Sequence, residues 1–387
     1  MKEKGDILIM KRPKTLALIV LCLCCVIIGT LIGMQHTAKI LHTEQTEAFG
    51  TTILIGAQGD ESRPALAEAK REIARLSALF DYDGDGDIAR LNEEKQITAD
   101  DDTVALLERA KEISAETDGL YSCTSAPLLD AWRLAASADR SPTDAELAPL
   151  LDKVDDSKIK IDGDKISIPD GVRVNVDSIA RGYIADRVRK VFSDYNLERG
   201  FVNLDIDKAR FANGDAGLLE GGGIACYSTD QRDGAWTISI PNPANPECVI
   251  ANYQILSDAV FNAGLYQQTV QSGGRSYRFI IDPRSGEPAD TSLASVSVSS
   301  KDGPLAAALA EALYVMGKDE AIDFWDDHRI DFDAIFIDDT GSVTPTGKDI
   351  TITSGIYKDE GASFTLIDDP GGNSPLEESD ERATRII

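Results

Sequence analysis

Four short segments carry residues able to do chemistry. Asp81-Tyr82-Asp83-Gly84-Asp85-Gly86-Asp87 sets acids at alternate positions, with glycine sixth and Ile88 eighth. That opens like an EF-hand calcium loop, but the position of the closing bidentate Glu is Asn92. An Asp-Gly turn without an ion explains the run at least as well. Asp177-Ser178-Ile179-Ala180-Arg181-Gly182 stands where a strand gives way to a helix. Helix N-termini favour anions and Arg181 could hold a phosphate, although an ordinary surface arginine would look the same. Asp282-Pro283-Arg284-Ser285-Gly286 offers a carboxylate that could take a proton, or a tight turn closed by an Asp–Arg pair. Glu311 interrupts the alanine-rich run 306–313, as a ligand or as a solvated residue.

Composition narrows this chemistry. The chain has 387 residues, with 66 acidic against 39 basic side chains and a formal charge of -27. Such a surface lacks the cations that displace phosphate counterions, which argues against nucleic acid. Histidine occurs only at 36, 42 and 328. A His-rich zinc site or a Ser-His-Asp triad has almost nothing to be built from, so acid–base work falls to carboxylates and any metal would be hard and oxygen-bound. Cys123, Cys226 and Cys248 are an odd number that allows one disulfide at most, with the pairing open.

The elements that must position these residues alternate between β and α. Residues 49–55 suit a strand. Residues 64–79, 102–117, 178–194 and 304–316 carry helical apolar spacing, and 159–168 reads as a hairpin about Asp162-Gly163. Further strands are expected at 201–204, 236–240, 277–281, 294–299, 332–337 and 350–353. The ends differ from this body. A basic segment, 1–15, precedes an uncharged apolar run at 16–34, long enough to span a bilayer with the body exported. Residues 35–48 read as a polar stalk, 49–365 as the folded domain and 366–387 as a disordered acidic tail.

Taken in order, the segments resemble the ApbE family of FAD:protein FMN transferases. Phe49-Gly50-Thr51 is similar to that family's Met-Gly-Thr strand, and Tyr82 through Asp87 to Arg90-Leu91-Asn92 to its Tyr-x-x-x-Ser-Glu-x-Ser-Arg-Leu-Asn. Gly119-Leu120-Tyr121-Ser122-Cys123-Thr124, then Pro127-Leu128 and Trp132, resembles Gly-Ala-Phe-Asp-x-Thr with its Pro-Leu and Trp. Val174 to Tyr183 follows Leu-Asp-Leu-Gly-Gly-Ile-Ala-Lys-Gly-Tyr, and Asn203 to Asp207 follows Asn-x-Gly-Gly-Asp. Phe279 to Gly286 follows His-Ile-Ile-Asp-Pro-Arg-Thr-Gly.

The resemblance implies a two-lobed α/β (α+β) fold behind one N-terminal transmembrane helix. It implies FAD in a cleft, Mg²⁺ on the pyrophosphate, and FMN transfer to a threonine of membrane redox flavoproteins. Carried over position by position, the cofactor residues are Tyr82, Asp87, Ser122, Thr124, Ile179, Ala180, Arg181, Gly182, Asp205 and Phe279. The metal positions are Ala180, Ala307 and Glu311, and an acid at Asp282 or Asp207 would take the acceptor's proton. Many of these depart from the family. The metal-binding Asp and Thr are Ala307 and Glu311, the Asp of the Gly-Ala-Phe-Asp segment is Ser122, and the motif His is Phe279. Glycines that would let backbone approach the dinucleotide are Asp177, Ser178, Asp205 and Ile206. Anionic replacements facing a pyrophosphate weigh toward a member that binds without catalysing.

Overall fold

A computed structural model describes residues 40–205 and, with gaps, 217–366. Segments 1–39, 206–216, 219–222, 230–233, 265–268, 273–274, 279, 328–329, 348–349, 353–355, 358–363 and 367–387 lie outside the described residues. The expected membrane span, basic segment and acidic tail fall there. No helix among the described residues is long and apolar enough to cross a membrane.

The scaffold is a nine-stranded sheet laid out in chain order: β1 Leu41–Ala48, β2 Thr51–Gln58, β3 Arg199–Asn203, β4 Ile224–Ser228, β5 Ala259–Gly264, β6 Leu293–Ser300, β7 Asp333–Asp338, β8 Ser342–Thr346 and β9 Ile356–Tyr357. Every neighbouring pair is antiparallel except β8–β9. The stalk expected over 35–48 is corrected in its last eight residues. Leu41–Ala48 pairs with β2 along its length, through a turn in which Phe49 and Gly50 take positive φ (53° and 69°). His42 therefore belongs to the folded body, where its Nδ1 meets the Ser62 hydroxyl at 3.0 Å.

Strand alternation gives the sheet two apolar faces. In β2, Ile53, Ile55 and Ala57 join the core under the helices, while Leu54 joins a second core against a five-stranded sheet. That smaller sheet orders Phe364–Leu366, Ile350–Ile352, Asn245–Ile255, Trp236–Asn242 and Gly217–Leu218. Helices α1 Ser62–Phe80, α2 Asp87–Glu94, α3 Asp101–Glu116, α4 Ala126–Ser137, α5 Asp144–Leu151, α6 Asp177–Asp194, α7 Gly303–Met316 and α8 Lys318–Asp326 complete the body. Within the helical core, α6 lies against α7 with almost no spacing. A Cβ on Gly182 would fall 2.2 Å from the Gly303 carbonyl oxygen, and the Gly303 N–H donates to Asp186 at 3.0 Å. The expected hairpin is present, Lys160–Asp162 on Lys165–Ser167, with Gly163 at φ +60°. The strand expected over 277–281 is shorter: Arg275–Arg278 pairs with Thr269–Ser272, and Ile281 makes only an isolated bridge to Pro288.

Candidate active-site cleft

The α6–α7 contact sets the first turn of α6 beside the middle of α7. Between α7, the loop 119–125, α4 and the turn 280–283 lies a pocket of about 210 Å³. Its walls are apolar at Leu120, Leu129, Ile280, Ile281, Pro283 and Val315, and its polar groups are Tyr121, Ser122, Ser125 and Glu311. Glu311 opens to the pocket but is otherwise walled in by protein. Burial pushes its carboxyl up to about 7, opposed by the nearby Ser178 hydroxyl and helped by the negative charge of Asp177. The Tyr121 hydroxyl is buried without a well-formed hydrogen bond. Ser178 stands beside it at a geometry short of a proper bond. Burial first, then Cys123, Asp156 and Glu311, raise the phenol well above its ordinary value.

Behind the pocket, one residue organises the loop. Asp156, 4% exposed, accepts from the hydroxyls of Ser122 (2.5 Å) and Thr124 (2.7 Å) and from the backbone N–H groups of Cys123 (3.1 Å) and Thr124 (3.2 Å). The Thr124 hydroxyl in turn accepts from Asp155 N–H at 2.9 Å. The Asp that the family carries at position 122 is therefore replaced by a serine hydroxyl pinned to a carboxylate from a different segment.

Further along α6, Arg181 feels the charges of two acids. Burial lowers its affinity for a proton, while Asp177 and Asp205 raise it. Its guanidinium covers the Phe49 ring, 4.8 Å from the centroid, and reaches the Phe49 and Leu204 carbonyls at 3.4 Å each. Asp177 is solvent-accessible within the concavity. Desolvation raises its carboxyl, Arg181 and Arg133 lower it, and Asp81 and Asp83 raise it again. Asp205 is raised by desolvation and lowered by Arg181.

Of the candidates, the structure brings Ser122 and Glu311 to the wall of one pocket, sets Arg181 where Asp205 acts on it electrostatically, and gives the rest other work. Ile179, Gly182 and Thr124 are buried supports. Asp87 is also buried: it accepts from Asp100 N–H (2.7 Å), Thr103 Oγ1 (2.9 Å) and Arg90 (3.2 Å), so the end of the Asp-Gly run ties the start of α2 to the start of α3. Tyr82 donates to Asp130 at 3.1 Å and lies under Arg173. Asp282 is taken up by its own turn, bonded to the Arg284 N–H (2.8 Å) and paired with the guanidinium at 2.9 Å, and it does not line the pocket. Asp207 and Phe279 lie outside the described residues. Tyr121 and Asp156 were not foreseen. Tyr121 stands next to Ser122 in a motif already singled out, whereas nothing distinguishes Asp156 within the acidic stretch 152–156. Cys123, Cys226 and Cys248 are all free.

These residues do not fit the implied magnesium ion. Ala307 offers a methyl group where an oxygen ligand is needed. Ala180 is fully buried inside α6, its N–H donating to the Val176 carbonyl at 2.7 Å, and Glu311 is the one carboxyl at the three positions. Among the described residues, no three His, Cys, Asp or Glu side chains converge as metal ligands.

The mixed sheet-and-helix body has the fold of solved ApbE proteins. The chain superposes on the ApbE protein of Thermotoga maritima with a TM-score of 0.69 (22% identity, 79% of this chain and 97% of that one). It superposes on the apo flavinyl transferase ApbE of Pseudomonas stutzeri with a TM-score of 0.66 (21% identity, 80% and 95%). It is 27% identical over 236 residues to the FAD:protein FMN transferase of Klebsiella pneumoniae, covering 60% of this chain and 67% of that one. To the Haemophilus influenzae enzyme of the same name it is 23% identical over 339 residues, covering 82% and 93%. The ApbE family model matches residues 49–336, and the chain belongs to the ApbE family.

Proposed function

We propose that this protein is a membrane-anchored, extracytoplasmic flavin transferase that moves FMN from FAD onto a threonine hydroxyl of a membrane redox partner. The observation that carries the reading is the pocket beside α7, where Tyr121, Ser122, Ser125 and Glu311 meet Ile280, Ile281 and Pro283. In such a transfer the acceptor oxygen bonds to the flavin-side phosphorus. The pyrophosphate P–O bond breaks, AMP leaves, and the acceptor proton must be taken up. Glu311, with its value near 7 and its opening to the pocket, suits that uptake; Asp282, held by Arg284, does not. Anchor and orientation rest on the basic segment 1–15 before the apolar run 16–34.

A second reading, a non-catalytic binder of flavin or a flavoprotein, is favoured by one observation: Arg181 is bracketed by Asp177 and Asp205. One assay separates the two. The chain is incubated with FAD, Mg²⁺ and a threonine-bearing acceptor domain, and covalent FMN is read by in-gel fluorescence and mass. Transfer supports the enzyme; flavin retained without transfer or FAD hydrolysis, beside an active relative, supports the binder. Membrane fractionation with external protease tests the anchor: release of the body from intact cells is expected.

A further inference from the structure

We infer that this chain handles its flavin without a divalent cation, because the α6 and α7 positions that would hold one do not supply its oxygens. The inference rests on the reading that flavin is the ligand. A hard dication needs a near-octahedral set of free oxygen lone pairs. On α7, position 307 carries a methyl group, 4% exposed. The carboxyl appears instead one turn later, at Glu311, on the same helix face. It stands there as a single carboxyl: among the described residues no three His, Cys, Asp or Glu side chains converge as metal ligands. The other two acids of the cleft, Asp177 and Asp205, are turned electrostatically to Arg181. The Ala180 carbonyl is an interior helix carbonyl, of the kind that accepts from the residue four ahead. Positive charge for a ligand's phosphate is therefore left to guanidinium groups, Arg181 and Arg133, whose charges both reach Asp177, and not to a metal.

The test uses the detergent-solubilised full chain. FAD binding, followed by flavin fluorescence, is measured in millimolar MgCl₂ and in EDTA, and Mg²⁺ is titrated calorimetrically without flavin. Equal FAD affinity in both buffers and no magnesium heat are expected. A loss of about tenfold or more in EDTA, or a magnesium heat from the unaltered chain, overturns the inference. The double variant Ala307→Asp/Glu311→Thr is expected to gain a magnesium heat and magnesium-dependent FAD binding; a folded double variant that gains neither also overturns it. If the unaltered chain binds no flavin, the flavin reading fails. The magnesium titration of the unaltered chain then decides the loss of the cation site by itself: a heat overturns that loss, and no heat upholds it.

Discussion

Gly182 and Gly303 touch backbone to backbone. A Cβ on Gly182 would lie 2.2 Å from the Gly303 carbonyl oxygen, and one on Gly303 would lie 2.4 Å from the Gly182 carbonyl oxygen. Neither obstacle is a flexible side-chain end, so a methyl group at either position must push α6 from α7. Because α7 lines the pocket through Glu311 and Val315, the pocket would shift with it. Gly182→Ala is expected to cost about 2–4 kcal/mol of stability, measured by urea unfolding. Survival of full stability would mean the helices do not approach as described.

Asp156 supports the loop that lines the pocket. Replacing it with Ala leaves two hydroxyls and two N–H groups without their acceptor in a buried site. The expected cost is about 3 kcal/mol by urea unfolding. Asp156→Asn keeps the shape and one acceptor oxygen, so a smaller loss is expected. Equal losses for the two variants would count against the hydrogen bonds as the cause.

Much of the fold was legible because apolar spacing dictated it. The helices read over 64–79, 102–117, 178–194 and 304–316 occur as Ser62–Phe80, Asp101–Glu116, Asp177–Asp194 and Gly303–Met316. The polar string Leu41–Ala48 hid an edge strand, since only Ala48 is fully buried and the other seven positions alternate between exposed and half-buried. In the cleft, the sequence marked Asp177, Arg181, Asp205 and Glu311 by departure from family motifs. It gave no sign of Asp156, whose role depends on a contact across more than thirty residues of chain. Nor did it choose between the two readings of the Asp282 turn, because the Arg284 pairing depends on side-chain direction.

The bracket around Arg181 makes a prediction about ligand charge. Asp177→Asn removes one anion from the guanidinium and from the face that would meet a pyrophosphate. At a separation of a few ångströms in a partly dry cleft, such a like-charge term is worth at least about 1.4 kcal/mol. FAD affinity is therefore expected to rise about tenfold, measured by fluorescence titration, while riboflavin affinity stays unchanged. A parallel rise for riboflavin would assign the effect to shape instead.

The carboxyl of Glu311 fixes the sign of a pH dependence in stability. Its value is about 7 in the folded protein against an ordinary 4.5, so the folded state holds a proton that the unfolded state releases. Folding stability from this group is greatest below about 4.5, falls as pH rises to about 7, and is level above that. The full loss would be about 3 kcal/mol, reduced by the opening to the pocket and by relaxation around the charge, so about 1–3 kcal/mol is expected. Glu311→Gln cannot ionise and lacks this component. Urea unfolding of both proteins at several pH values between 4.5 and 8 should show the unaltered chain losing stability relative to the variant as pH rises. Parallel stability curves would mean that Glu311 is solvated in the folded state, with a value close to that of a free side chain.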